Sequence, residues 1–128
     1  MTLRQLETAF VSADRALLDF YAEVFELEEV EPIAFPGGTV HVLAVPGGRL
    51  KVMVPDATPA PAASAPAFNA VTGIRYLTFR VDDLDHVVDR ATARRATVVL
   101  PPVALGPGSR VAILTDPDGN TFEAVEEV

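Results

Sequence analysis

Residues 114–127 read LTDPDGNTFEAVEE, and they decide the fold. Asp116-Pro117-Asp118-Gly119 is turn chemistry. Pro117 presets φ, Asp118 can bond its own backbone, and Gly119 takes a positive φ at no steric cost. Alternation after the turn puts Thr121, Glu123 and Val125 on one strand face. Phe122 and Ala124 fall on the other, against a helix layer. With a strand at 110–115 before it, the segment is a closing hairpin.

Upstream, Gly106-Pro107-Gly108 and Pro101-Pro102 punctuate a further strand at 97–100. Asp83 can cap a helix running to about Arg95, with Leu84, Val87, Val88 and Ala91 as its apolar face. Residues 74–81 (IRYLTFRV) form a strand before it.

The same order occurs earlier in the chain. Residues 6–12 (LETAFVS) read as a strand with Leu6, Thr8, Phe10 and Ser12 on one face. Ser12 and Asp14 offer caps for a helix over 15–27, where Leu17, Leu18, Tyr21, Val24 and Phe25 recur at helical spacing. Strands follow at 29–34, 39–45 and 50–54, separated by two Pro-Gly-Gly turns. Strand, helix and three strands, twice, is an internal repeat. The predicted class is α+β: two tandem βαβββ modules whose half-sheets form a curved mixed sheet around a cleft. Module one spans 1–55 and module two 74–128 of a single domain, joined by an Ala/Pro-rich linker at 56–73. Phe68 is an apolar exception in that linker, suited to a pocket or a neighbouring chain. The copies align with Leu6 opposite Tyr76, Thr8 opposite Thr78, Phe10 opposite Arg80, Ala13 opposite Asp83, Gly48 opposite Gly119 and Val52 opposite Glu123.

Composition narrows the function. A chain of 128 residues, 49% apolar, can bury a core without staples. It has no cysteine, which excludes disulfides and thiolate metal sites. A net charge of −8 argues against nucleic acid and anionic membranes as partners. MTLRQLETAF lacks the pattern of a signal peptide, and no run approaches a membrane span, so a cytoplasmic location is expected. His41 and His86 are the two histidines, which rules out a histidine-cluster mechanism. No nucleophile motif, phosphate loop or nucleic-acid module is present.

Three segments, FVSADRALLDFYAEVFELE at 10–28, FRVDDLDHVVDRATARRATVV at 79–99 and LTDPDGNTFEAVEE at 114–127, resemble the vicinal oxygen chelate superfamily. This is the glyoxalase, bleomycin-resistance and extradiol-dioxygenase group. The resemblance covers nearly the whole chain; Arg95 departs from it, standing where the family's second helix commonly ends on glycine. In the family's enzymes a divalent metal is held by His, Gln or Glu from the first and last strand of each module, and acts as a Lewis acid. Carried over by position, the ligands become Leu6, Val52, Tyr76 and Glu123. Two are aliphatic and Tyr76 is a poor ligand, leaving only Glu123. A shift of one residue in module one would put Glu7 in place of Leu6.

The resemblance therefore implies a metal-free protein without a cofactor. It would be a homodimer holding a small organic molecule in a mostly apolar cleft, as the bleomycin-resistance branch sequesters a drug. The wall would be Thr8, Phe10, Tyr76, Thr78, Arg80 and Glu123, with Thr121, Met53 and Phe68 beside them. Arg80 either holds a ligand carboxylate or pairs with Glu123. An alternative is a lyase, isomerase or epimerase acting next to a carbonyl, with Glu123 as base or metal ligand and Tyr76 as acid. A third reading is a non-catalytic dimeric scaffold whose cleft is plugged by Phe10, Met53 or Phe68. His41 is either a ligand or base in the cleft, or a residue on the solvent or dimer side of its strand. His86, the run Glu23, Glu26, Glu28 and Glu29, and the terminal Glu126 and Glu127 read as solvated.

Overall fold

The computed structural model describes residues 1–62 and 67–127. The chain divides into two compact units, Met1–Pro61 and Ala62–Val128. The linker expected at 56–73 straddles that division, and its residues 63–66 lie outside the described residues.

Unit one contains β1 (Thr8–Val11), α1 (Ala16–Val24), β2 (Glu29–Phe35), β3 (Gly38–Val45) and β4 (Gly48–Pro55). Unit two repeats the order with β5 (Tyr76–Val81), α2 (Leu84–Ala93), β6 (Thr97–Ala104), β7 (Ser109–Thr115) and β8 (Thr121–Glu127). The strand orders match too: β1-β4-β3-β2 and β5-β8-β7-β6. β1 runs parallel to β4 and β5 to β8, while the hairpin partners are antiparallel. The class is α+β, with two tandem βαβββ modules, each a mixed four-stranded sheet carrying one helix.

Each helix forms because its apolar stripe has a sheet to cover. α1 buries Leu17, Leu18, Phe20, Tyr21 and Val24 and packs on β3 and β4. The Tyr21 ring stacks with Phe10 of β1 at 5.3 Å between centroids. α2 buries Leu84, Val87 and Ala91 against β6, β7 and β8, where Leu114, Phe122 and Ala124 are fully buried. Phe79 of β5 meets Phe122 edge-on at 5.9 Å. Each such aromatic contributes on the order of 1.5–3 kcal/mol through area removed from water.

Both helices end alike. After α1 the amide of Leu27 donates to the carbonyl of Ala22 at 2.8 Å, and after α2 Ala96 donates to Ala91 at 3.0 Å. These closures need a left-handed residue, usually glycine. Here Glu26 takes it at φ 54° and Arg95 at φ 73°.

Three local expectations are corrected or extended. In the closing turn the Asp116 carboxylate bonds the backbone, a role the sequence reading gave to Asp118. Asp116 is 3% exposed, and its Oδ1 accepts from the amides of Asp118 at 2.9 Å and Asn120 at 3.0 Å. The prolines at 101 and 102 do not end a strand; they lie inside β6, within the register shift between Leu100 and Val103. β6 is an edge strand, where a missing N–H costs no ladder bond, and Pro32 sits likewise at the irregularity of edge strand β2. Glu126 and Glu127 are not simply solvated. Glu126 Oε2 accepts from the amide of Leu84 at 2.7 Å, which helps Asp83 cap α2, and Glu127 pairs with Arg80.

Candidate functional site

Strand pairing settles which side chains face the helix in each unit. In unit two, Tyr76 pairs with Thr121, Thr78 with Glu123 and Arg80 with Val125 across β5 and β8. Phe122 and Ala124 face α2, so this set lies on the far face of the sheet, as the alternation predicts. Thr78 Oγ1 donates to Glu123 Oε1 at 2.6 Å. Arg80 instead bonds Glu127, so the Arg80–Glu123 pair weighed from the sequence does not form. The Tyr76 ring is 48% exposed, and Phe68 meets it edge-on at 5.7 Å. Phe68 therefore has a partner within its own unit.

Unit one is turned by one residue from expectation. β1 and β4 pair Thr8 with Leu50 and Phe10 with Val52. Leu50 and Val52 are buried, and Phe10 stacks on α1, so Thr8 and Phe10 face the helix. Leu6 precedes β1 and is 80% exposed. The far face carries Ala9 opposite Lys51 and Val11 opposite Met53, with Glu7 just ahead of β1. Lys51 Nζ lies 3.1 Å from Glu7 Oε1, and Arg49 Nε lies 3.7 Å from Glu7 Oε2. Gln5 Nε2 also donates to Glu7 Oε2 at 3.0 Å.

The repeat now superposes without ambiguity. A left-handed glycine closes the last hairpin of each unit, Gly47 at φ 74° and Gly119 at φ 89°. Gly47, not Gly48, is thus the counterpart of Gly119. The fourth residue onward is Lys51 in unit one and Glu123 in unit two, and each pairs with the parallel first strand, at Ala9 and Thr78. Two residues before those partners stand Glu7 and Tyr76. The positions first assigned to Leu6 and Val52 therefore belong to Glu7 and Lys51.

A profile of the Glyoxalase/Bleomycin resistance protein/Dioxygenase superfamily matches residues 5–124. The chain belongs to this superfamily. Among solved structures, a glyoxalase family protein from Bacillus cereus superposes with a TM-score of 0.82 at 20% identity, covering 100% of this chain and 96% of that one. A glyoxalase family protein from Enterococcus faecalis gives 0.68 at 22% identity, covering 98% and 97%. The genomically encoded fosfomycin resistance protein FosX from Listeria monocytogenes gives 0.70 at 14% identity, covering 100% and 94%. At these identities the likeness is one of fold. No curated protein matches the chain.

Neither unit's pair of residues is a ligand pair suited to the superfamily's divalent metal. A protonated lysine has no lone pair, and Lys51 already bonds the one carboxylate of its unit's pair. In unit two Tyr76 is a phenol, a poor ligand, which leaves Glu123 as a single carboxylate.

The remaining candidates lie elsewhere. His41 pairs with Val52 across β3 and β4, so it sits on the helix side, not in the far face and not toward solvent. Its Nδ1 is buried without a hydrogen bond, 3.9 Å from Glu29 Oε2. Glu29, read as solvated, bonds Arg15 at 2.6 Å. His86 is exposed in the first turn of α2. Arg110 of β7, which the sequence reading passed over, holds Asp85 of α2 at 2.9 Å and lies 3.6 Å from Glu126. That guanidinium, by hydrogen bonding first and charge second, holds the Asp85 carboxyl below the usual carboxylate range. No helix among the described residues is long and apolar enough to cross a membrane.

Proposed function

We propose that the protein is a metal-independent small-molecule-binding member of its superfamily, which takes an organic ligand through the far faces of its modules and works as a homodimer in the cytoplasm. The observation that carries the reading is the Glu7–Lys51 ion pair at positions where the family's enzymes present metal ligands. In unit two Phe68 and Tyr76, and in unit one Val11 and Met53, supply apolar surface on the far face beside a few polar groups, which is the chemistry of a small-molecule site. The fosfomycin resistance protein among the structural relatives makes drug-like ligands a sensible first library.

The test is thermal denaturation against Zn, Mn, Ni and Fe(II), then against a library of drug-like molecules. The expected result is no shift with any metal and a rise with some ligands, since a ligand bound to the folded state stabilises it by mass action. A large shift with one metal ion, or stoichiometric metal in the purified protein, contradicts the reading. Sedimentation at micromolar concentration tests the dimer.

One observation favours a second reading, an enzyme acting next to a carbonyl. Glu123 is bonded by a neutral hydroxyl and not neutralised by Arg80, so its carboxylate remains available as a base, with the Tyr76 hydroxyl on the same face. Glu123→Gln separates the two readings. Loss of turnover with ligand affinity kept supports catalysis; a protein without turnover on any ligand it binds leaves the binding role.

A further inference from the structure

We infer that Lys51 is the chain's anion-binding point: its ammonium, held by Glu7, takes the place of the metal and receives a carboxylate or similar oxyanion of the ligand. This rests on the reading that the far face binds a small organic molecule.

Lys51 is the sole lysine of the chain, beside nine arginines. It stands on β4 between Ala9 of β1 and Val42 of β3, both short side chains. Arg49 and Met53 flank it on the same strand face. Its side chain is 28% exposed, so the charge is reachable yet partly shielded from water. An ammonium has three donors, and Glu7 Oε1 takes one of them. Arg49 and Lys51 against Glu7 leave this patch net positive in a chain of net charge −8.

The repeat supplies the independent argument. Lys51 is the structural counterpart of Glu123, four residues beyond the matching left-handed glycine. A position that in unit two carries a carboxylate carries in unit one a cation. A cation at that point repels divalent metal and attracts the oxygens that a metal would have held.

Because the chain has one lysine, selective 13C-lysine labelling gives a single ε-methylene resonance. We expect benzoate at millimolar concentration to shift that resonance, while benzamide, its uncharged analogue, leaves it in place. Lys51→Met should weaken benzoate binding about tenfold, as loss of a charge-assisted contact does. Lys51→Arg should keep most of the affinity, and its folded state can be checked by circular dichroism. Near-stoichiometric Mn2+ should leave the lysine signal sharp. Benzoate binding that Lys51→Met leaves unchanged overturns the inference while the small-molecule reading stands. No lysine shift with benzoate also overturns it, and the ligand library then decides the wider reading separately. Paramagnetic broadening of the lysine signal by stoichiometric Mn2+ overturns both.

Discussion

Thr78 donates its hydroxyl hydrogen to Glu123 Oε1 at 2.6 Å across two parallel strands, and so fixes the carboxylate on the far face of unit two. Both side chains are accessible to water, so the bond is worth about 0.5–1 kcal/mol, not the larger value of a buried charge-assisted pair. A double-mutant cycle of Thr78→Val and Glu123→Gln in urea should return a coupling of that size. A coupling of zero would show that the bond orients Glu123 without stabilising the fold.

Asp116 organises the closing hairpin. Its Oδ1 serves the amides of Asp118 and Asn120, and its Oδ2 accepts from Asn120 Nδ2 at 3.0 Å. Asp116→Ala leaves those donors unmet in a part-buried turn. We expect a loss of about 2–3 kcal/mol in urea unfolding.

Arg95 holds a left-handed conformation at φ 73°, where a Cβ is penalised by about 1–2 kcal/mol. Arg95→Gly removes that penalty and gives back part of it as chain entropy, for a net gain of about 0.5–1 kcal/mol. Glu26→Gly at φ 54° should also gain, by release of the same conformational penalty. Differential scanning calorimetry reads both; a fall in Tm for Arg95→Gly would contradict the account.

Acid stability should depend on the clamp at α2. Arg110 depresses the Asp85 carboxyl in the folded state, so the folded pKa lies below the unfolded one. The contribution is therefore full above the unfolded carboxylate pKa and is lost as pH falls through the folded value. Asp85 is exposed, so the effect is small and screened by salt. Asp85→Asn should lower the neutral plateau slightly and leave the strongly acid end unchanged, which flattens the acid limb of a stability-versus-pH curve. An unaltered acid limb would sink this explanation.

The two helices, the turn residues and the repeat were legible because each is local. Leu84, Val87 and Ala91 declare a helical face by spacing alone, and Gly119 declares a turn. The far face of unit two was legible for a similar reason: Phe122 and Ala124 against Thr121 and Glu123 is a clear contrast between faces. Unit one lacks that contrast at its start. In Leu6, Thr8 and Phe10 against Glu7, Ala9 and Val11, each set mixes apolar with polar or small side chains. The usable signal lay on β4, where Leu50, Val52 and Val54 alternate with Arg49, Lys51 and Met53. Reading that contrast first would have put Val52 in the core and Lys51 on the far face.

By itself the sequence determined the α+β class, the doubled βαβββ order and the family, because periodicity, caps and turn residues act within a few positions of the chain. Only the tertiary structure decided which of two adjacent glycines closes the turn before β4, and with it that Glu7 and Lys51, not Leu6 and Val52, face away from the helix. A strand pattern of period two names two faces without saying which is inward. That choice is made by register against a partner strand, and a slip of one residue exchanges every side chain between the faces.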